Sequence, residues 1–205
     1  MEIIRLTDKN LEEAARKAAS ALKKGGIVAY PTDTIYGFGV DPWNPAAVEA
    51  LKELKGRERK KPISVIVPDV PHIKACAEMN AIAEQFAASH LPGPLTLVMK
   101  AKKMPADIML NGTIGIRIPN DAFCIALGHA FGHPYTTTSA NKAGTSVPET
   151  ADELMRHFGR ELHKIALIVD GGPRPGGTPS TVVSCVGDTP YVLREGRLTK
   201  QELGL

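Results

Sequence analysis

The chain is short of cysteine, of long apolar runs and of net charge, and each shortage removes a class of protein. Its three cysteines, Cys76, Cys124 and Cys185, stand without a CxxC pair. That pattern argues against a disulfide framework and a zinc site, and it fits a reducing, cytoplasmic setting. No apolar run approaches the ~20 residues needed to span a bilayer, and Glu2 and Asp8 do not suit a signal peptide, so no membrane partner is expected. With 25 Lys and Arg against 22 Asp and Glu the net charge is only +3. Nucleic-acid affinity would therefore have to come from local clustering of charge.

Several catalytic signatures are missing as well. No GxSxG occurs, which removes a serine-hydrolase elbow. The glycine-rich stretch from Gly171 to Ser180 has no GK[ST] ending and leads into the β-rich run Thr181-Val182-Val183, so it is not a phosphate-binding P-loop. Gly37-Phe38-Gly39 has Pro42 where a dinucleotide fingerprint needs its third glycine. His129 and His133 have i,i+4 spacing, but Gly132 and Pro134 break any helix there and no HExxH glutamate is present, so no protein-built metal site is expected. No carboxylate pair of the glycosidase kind stands out.

What is present reads as alternating strands and helices. Strands are expected at 3–6, 27–30, 63–67, 95–100, 113–118, 166–169, 180–186 and 191–193. Asn10 with Glu13 resembles a capping box before a helix that ends at Gly25-Gly26. Asn44-Pro45 opens a second helix with Val48, Leu51 and Leu54 as its buried stripe. Further helices are expected at 80–91, 121–131 and 151–158. No repeat, linker or low-complexity tract marks a boundary, and 205 residues with 43% hydrophobic content suit one core, so residues 1–205 are expected to form a single domain.

The densest charge lies in Lys52 to Pro62, which holds Lys52, Lys55, Arg57, Arg59, Lys60 and Lys61 against Glu53 and Glu58. Taken alone it reads as a solvated face. Lys52 and Lys55 lie off the apolar stripe at the helix C-terminus, where the macrodipole favours cations. Elsewhere, hydroxyls, an amide and cations recur at the ends of apolar runs: Thr32 and Thr34, Thr113 and Arg117, Ser139 and Asn141, Ser180, and Arg194. In the strand from Thr113, alternation puts Ile114, Ile116 and Ile118 on one face and Thr113, Gly115 and Arg117 on the other. The run Thr136-Thr137-Thr138-Ser139 makes poor core unless hydrogen-bonded and suggests a polar pocket wall. Cations with neutral donors suit a phosphorylated ligand.

These stretches, in order, carry a resemblance. Tyr30-Pro31-Thr32-Asp33-Thr34-Ile35-Tyr36-Gly37, Lys55-Gly56-Arg57 with Lys61-Pro62, and Leu91-Pro92-Gly93-Pro94-Leu95-Thr96 come first. Ile116-Arg117-Ile118-Pro119, Ser139-Ala140-Asn141, Ser180-Thr181-Val182-Val183 and Leu193-Arg194-Glu195-Gly196 follow. Across about Asn10 to Arg197 the chain resembles the YrdC/TsaC-type L-threonylcarbamoyladenylate synthases. It departs from their pattern at Glu58, Lys61 and Ala143-Gly144.

The resemblance implies a twisted mixed α/β (α+β) sheet flanked by helices, with a concave basic face, in the single-domain form. It implies synthesis of threonylcarbamoyl-AMP and pyrophosphate from L-threonine, bicarbonate and ATP, with Mg2+ carried mainly by the phosphates. A separate threonylcarbamoyl transferase would then modify tRNA. It also implies a catalytic set of Lys55, Arg57, Ser139 and Asn141, with Lys55, Arg59, Thr113, Ser139, Val147 and Arg194 at ATP. Thr32, Ser64, Arg117, Thr137 and Ser180 would hold threonine. Within the charge run, Lys55, Arg57 and Arg59 are thereby expected to face phosphates, while Lys52, Lys60 and Lys61 stay solvated or loosely RNA-facing. The competing reading is a tRNA- or double-stranded-RNA-binding module without chemistry. A third is the carbamoyl-adenylate step of hydrogenase maturation factors, whose zinc-finger modules have no counterpart in a chain lacking CxxC.

Overall fold

The structure, a computed structural model, describes residues 1–56, 58, 61–174 and 177–205. The first elements are β1 (Glu2–Arg5), α1 (Leu11–Lys23), β2 (Ile27–Tyr30), β3 (Gly37–Gly39), α2 (Pro45–Lys55), β4 (Ser64–Ile66) and α3 (Val70–Cys76). Then come α4 (Ala81–His90), β5 (Leu95–Lys100), β6 (Thr113–Arg117), α5 (Ala122–Phe131), β7 (Tyr135–Ser139), α6 (Ala151–Phe158), β8 (Ile165–Asp170), β9 (Thr181–Ser184) and β10 (Tyr191–Arg194). The strands form one mixed sheet in the order β1-β8-β2-β3-β7-β4-β6-β5-β9-β10. β7 sits between two antiparallel neighbours, β3 and β4, and so joins the sheet's two halves.

Alternation along β2 explains how the sheet carries a core on each side. Ile27 and Ala29 belong to the larger cluster, with Phe38, Leu51, Val65 and Ile116. Val28 and Tyr30 belong to the other, where Ala14, Ala15, Ala18 and Leu22 of α1 meet Phe123, Leu127 and Phe131 of α5. The small residues of α1 let the two helices approach closely. A strand apolar on both faces reads as an unbroken run, which is why β2 shows no alternation in sequence.

Helix boundaries follow their caps. The Asn44, Asp69, Asn80, Asp121 and Thr150 side chains each accept a backbone N–H three residues on. Asn10 differs from the capping-box expectation: its Oδ1 accepts from Thr7 N–H at 2.8 Å and its Nδ2 donates to Arg5 C=O at 2.9 Å, so it staples β1 to α1 instead. β3 and α3 carried no clear sequence signal. β3 is three residues long with glycine at both ends, and α3 is a seven-residue helix begun by Asp69. Among the described residues, no helix is long and apolar enough to cross a membrane.

The structure also corrects the expectation for Lys52. Its residue is only 5% exposed, and Nζ donates to the Asp107 carbonyl at 2.8 Å. The methylene stem covers apolar surface while the head satisfies a turn, a fastening role that charge counting cannot reveal. Lys52→Ala is expected to cost about 1–2 kcal/mol in urea unfolding, through the lost stem packing and hydrogen bond. A change of under about 0.3 kcal/mol, typical of a solvated residue, would restore the solvated reading.

Candidate active site

One cavity of about 180 Å³ opens where β4, β6 and β7 meet the loops after β2 and before β9. Its wall includes Thr32, Ser64, Arg117, Thr137 and Ser180, the five residues expected at threonine, together with Ser139, Val147 and Arg194 from the ATP set. Strand pairing and side-chain contact bring them together: Ser64 lies opposite Thr137, and Thr96 of β5, opposite Val182 in the parallel pair with β9, reaches the Ser180 hydroxyl at the start of that strand. Gly115 clears the floor. A Cβ added there would lie 2.5 Å from Ser64 Oγ and 3.2 Å from Thr96 Cγ2.

The loop after β2 is held by its own hydroxyl. Thr32 Oγ1 accepts from the N–H groups of Thr34 and Ile35 at 3.1 Å each and donates to Ile35 C=O at 2.7 Å. Arg117 reaches the same loop from the end of β6. Its Nη2 lies 2.5 Å from Asp33 Oδ1, Nη1 donates to Thr34 Oγ1 at 3.0 Å, and Nε donates to Gly93 C=O at 3.0 Å. Asp33 Oδ2 accepts from the Asn120 N–H at 3.1 Å. Asp33 is the counter-ion of a guanidinium only 5% exposed.

Arg194 is in a different situation. Nη2 donates to Ser180 C=O at 2.8 Å, and among the described residues no carboxylate forms an ion pair with it. Burial, and then the like charge of Arg117, pull its pKa below the usual arginine value. Among the described residues, the cavity is lined by two guanidiniums, of which Asp33 neutralises one, and this leaves the site favouring an anion. On the far side of the Thr32 loop, Tyr36 Oη donates to Gly172 C=O at 2.8 Å, and burial followed by the Asp170 charge pushes its pKa up to about 12.

Three expected residues are not part of the cavity wall. Thr113 Oγ1 donates to Leu110 C=O at 2.7 Å. Asn141 turns its Nδ2 to Thr145 C=O at 2.6 Å. Lys55, 4% exposed, points Nζ at the carbonyls of Ser139 and Asn141. Arg57 and Arg59 lie outside the described residues. Thr138, read in sequence as part of a polar pocket wall, lines the cavity, and so does Thr96, which sequence reasoning did not assign a role. The signal for Thr96 was available, since it is the hydroxyl between Leu95 and Leu97 of a strand. Its Oγ1 lies 2.9 Å from Ser180 Oγ.

Fold and cavity together define an α/β protein with a hydroxyl-walled, cationic site at its strand ends. A family model named Sua5_yciO_yrdC and described as telomere recombination matches residues 20–196, and the chain belongs to this family. A Bacillus subtilis relative named threonylcarbamoyl-AMP synthase is 34% identical, over 91% of this chain and 54% of its own length. The crystal structure of Pyrococcus abyssi Sua5 complexed with L-threonine superposes with a TM-score of 0.89 at 31% identity, over 98% of this chain and 59% of that one. Escherichia coli YciO superposes at 0.87 with 25% identity, over 98% and 97%. The chain thus spans little more than half of the first two relatives and nearly all of the third.

Removing one partner of a buried ion pair strands the other charge. Asp33→Ala should therefore cost about 3 kcal/mol. In a urea-unfolding double-mutant cycle, the added Arg117→Met change is expected to recover part of that loss. Additive losses would mean that the two side chains do not depend on each other.

Proposed function

We propose that the protein is an L-threonylcarbamoyladenylate synthase, making threonylcarbamoyl-AMP and pyrophosphate from L-threonine, bicarbonate and ATP. The observation that carries this reading is the size and lining of the cavity. At about 180 Å³, below the roughly 300–1,000 Å³ of pockets for drug-sized ligands, it suits an amino acid. ATP would extend from it past Ser139, Val147 and Arg194. The relatives' names and the threonine complex of the P. abyssi protein support the same assignment.

In this reading Thr32, Ser64, Thr137 and Ser180 supply hydroxyls to the amino acid, and Arg117 the charge that meets its carboxylate. The threonine amine adds to bicarbonate with loss of water, giving a carbamate. One carbamate oxygen then attacks the α-phosphorus, the bond from that phosphorus to the α,β-bridging oxygen breaks, and pyrophosphate leaves with that oxygen. No protein nucleophile takes part. The protein's contribution is alignment of two anions and neutralisation of charge that grows on the phosphates, which falls to Arg194 and, by the motif pattern, Arg57 and Arg59. Among the described residues no three His, Cys, Asp or Glu side chains cluster. A magnesium ion would therefore be carried by the triphosphate, where it adds positive charge beside the leaving group.

Residues 1–205 are taken as one YrdC-like domain with a concave basic face, working in the cytoplasm and passing its product to a transferase that modifies tRNA. Pyrophosphate release that requires threonine and bicarbonate together is the expected result. Arg194→Ala should reduce it by about 100-fold, the scale for losing one charge-stabilising donor. If pyrophosphate release is absent while tRNA or double-stranded RNA still binds, the module without chemistry becomes the better reading.

A further inference from the structure

The hydroxyl of Thr96 has no packing reason to lie inside β5. The residue is buried between Leu95 and Leu97, and β5 itself runs between β6 and β9. Valine has the same shape and suits a strand, whereas a buried hydroxyl costs free energy unless it is hydrogen-bonded. The partner is the Ser180 hydroxyl, with Oγ1 and Oγ 2.9 Å apart. Among the described residues neither hydroxyl makes another hydrogen bond. Both residues line the cavity.

The two side chains are held in different ways. Thr96 is branched at Cβ, which stiffens its first torsion. Its methyl group packs over the cavity floor, since a Cβ added at Gly115 would lie 3.2 Å from Cγ2. With the methyl seated there, Oγ1 is set toward Ser180. The Ser180 backbone is fixed as well: its carbonyl accepts from Arg194 Nη2 at 2.8 Å, and the next N–H, of Thr181, donates to Pro94 C=O at 3.0 Å. The serine side chain is unbranched and has three staggered positions open to it. Contact with Thr96 selects one of them. Each hydroxyl carries a single proton, so when Thr96 donates to Ser180 Oγ the Ser180 proton is left for a ligand in the cavity.

We infer that Thr96 is a positioning residue for the amino-acid end of the cavity: it fixes the Ser180 hydroxyl and leaves that hydroxyl's proton to the bound amino acid. The inference rests on the synthase reading only in taking L-threonine as the ligand that Ser180 meets. It assigns the γ-methyl and the hydroxyl of one side chain to separate tasks, the first to the floor beside Gly115 and the second to Ser180.

The test compares Thr96→Val, which keeps the shape, with Thr96→Ser, which keeps the hydroxyl. Threonine affinity is read by calorimetry and steady-state rates by pyrophosphate release. Thr96→Val is expected to raise Kd and KM for threonine by about tenfold, the scale of one lost hydrogen bond, with kcat and KM for ATP within about threefold. Thr96→Ser should hold all four within about threefold. In a Ser180→Ala background Thr96→Val should add less than about twofold, because the two changes remove one contact.

A Val variant with wild-type threonine affinity, a Ser variant as damaged as Val, or losses that add in the double variant would each overturn the inference. If Thr96→Val does not fold, Thr96→Ala against Thr96→Ser carries the comparison, since both lack the methyl and differ in the hydroxyl. Threonine binding and pyrophosphate release by the wild type are measured first. Binding without release removes the synthase reading and leaves the affinity comparison to decide the role of Thr96, whereas absence of threonine binding overturns the inference itself.

Discussion

A strand paired on both sides cannot shift without breaking two ladders, and β7 occupies that position at the centre of the sheet. Its sequence, Tyr135-Thr136-Thr137-Thr138-Ser139, is unusual for so central a place, because all five side chains carry hydroxyls. Each needs a partner or contact with solvent. Thr136 finds its partners in the backbone of Val40, while Thr137, Thr138 and Ser139 line the cavity. Polar lining is thereby mounted on a strand braced on both sides, which would suit the proposed site, where two ligands are held in line.

Charge in the site is graded. Arg117 is neutralised by Asp33 and tied to two further oxygens, so it can orient a carboxylate but contributes little unbalanced field. Arg194 has no such counter-ion among the described residues and is under strain from burial and from Arg117. An incoming anion relieves that strain, and the relief is larger for a ligand that carries more negative charge there. Placing the neutralised guanidinium at the amino acid and the unbalanced one at the phosphates would match the charge of each ligand.

Sequence alone made the repeating elements legible, because helix caps and apolar stripes are local signals. Asn44-Pro45 and Asn80 begin their helices where expected, and α6 spans 151–158 as read. Motif order made the cavity legible too, bringing Thr32, Ser64, Arg117 and Ser180 to one place through residues far apart in the chain. What could not be read was partnership. Asp33 and Arg117 are 84 residues apart, and nothing local says that each satisfies the other. Lys52 and Lys55 show the same limit, for a lysine's stem and head have separate environments. Both heads bond to carbonyls from distant segments.

The glycine-rich loop after β8 is the remaining case in which appearance and task diverge. It lacks the ending of a phosphate-binding loop, and its described part grips protein. Arg174 Nε donates to Thr32 C=O at 2.7 Å, and its Nη1 donates to Gly171 C=O at 2.8 Å. Tyr36 Oη accepts from Gly171 N–H at 3.2 Å and donates to Gly172 C=O. The Thr32 loop is thus held from one side by Arg117 through Asp33 and from the other by Arg174 and Tyr36. Two cations and a phenol are used here to hold the backbone that presents the Thr32 hydroxyl to the cavity. Lys55 Nζ likewise donates to the Asn141 carbonyl in the turn after Ser139. Among the described residues, much of the positive charge near the cavity is thus spent on backbone carbonyls, and its removal should be felt as loss of alignment more than as loss of field.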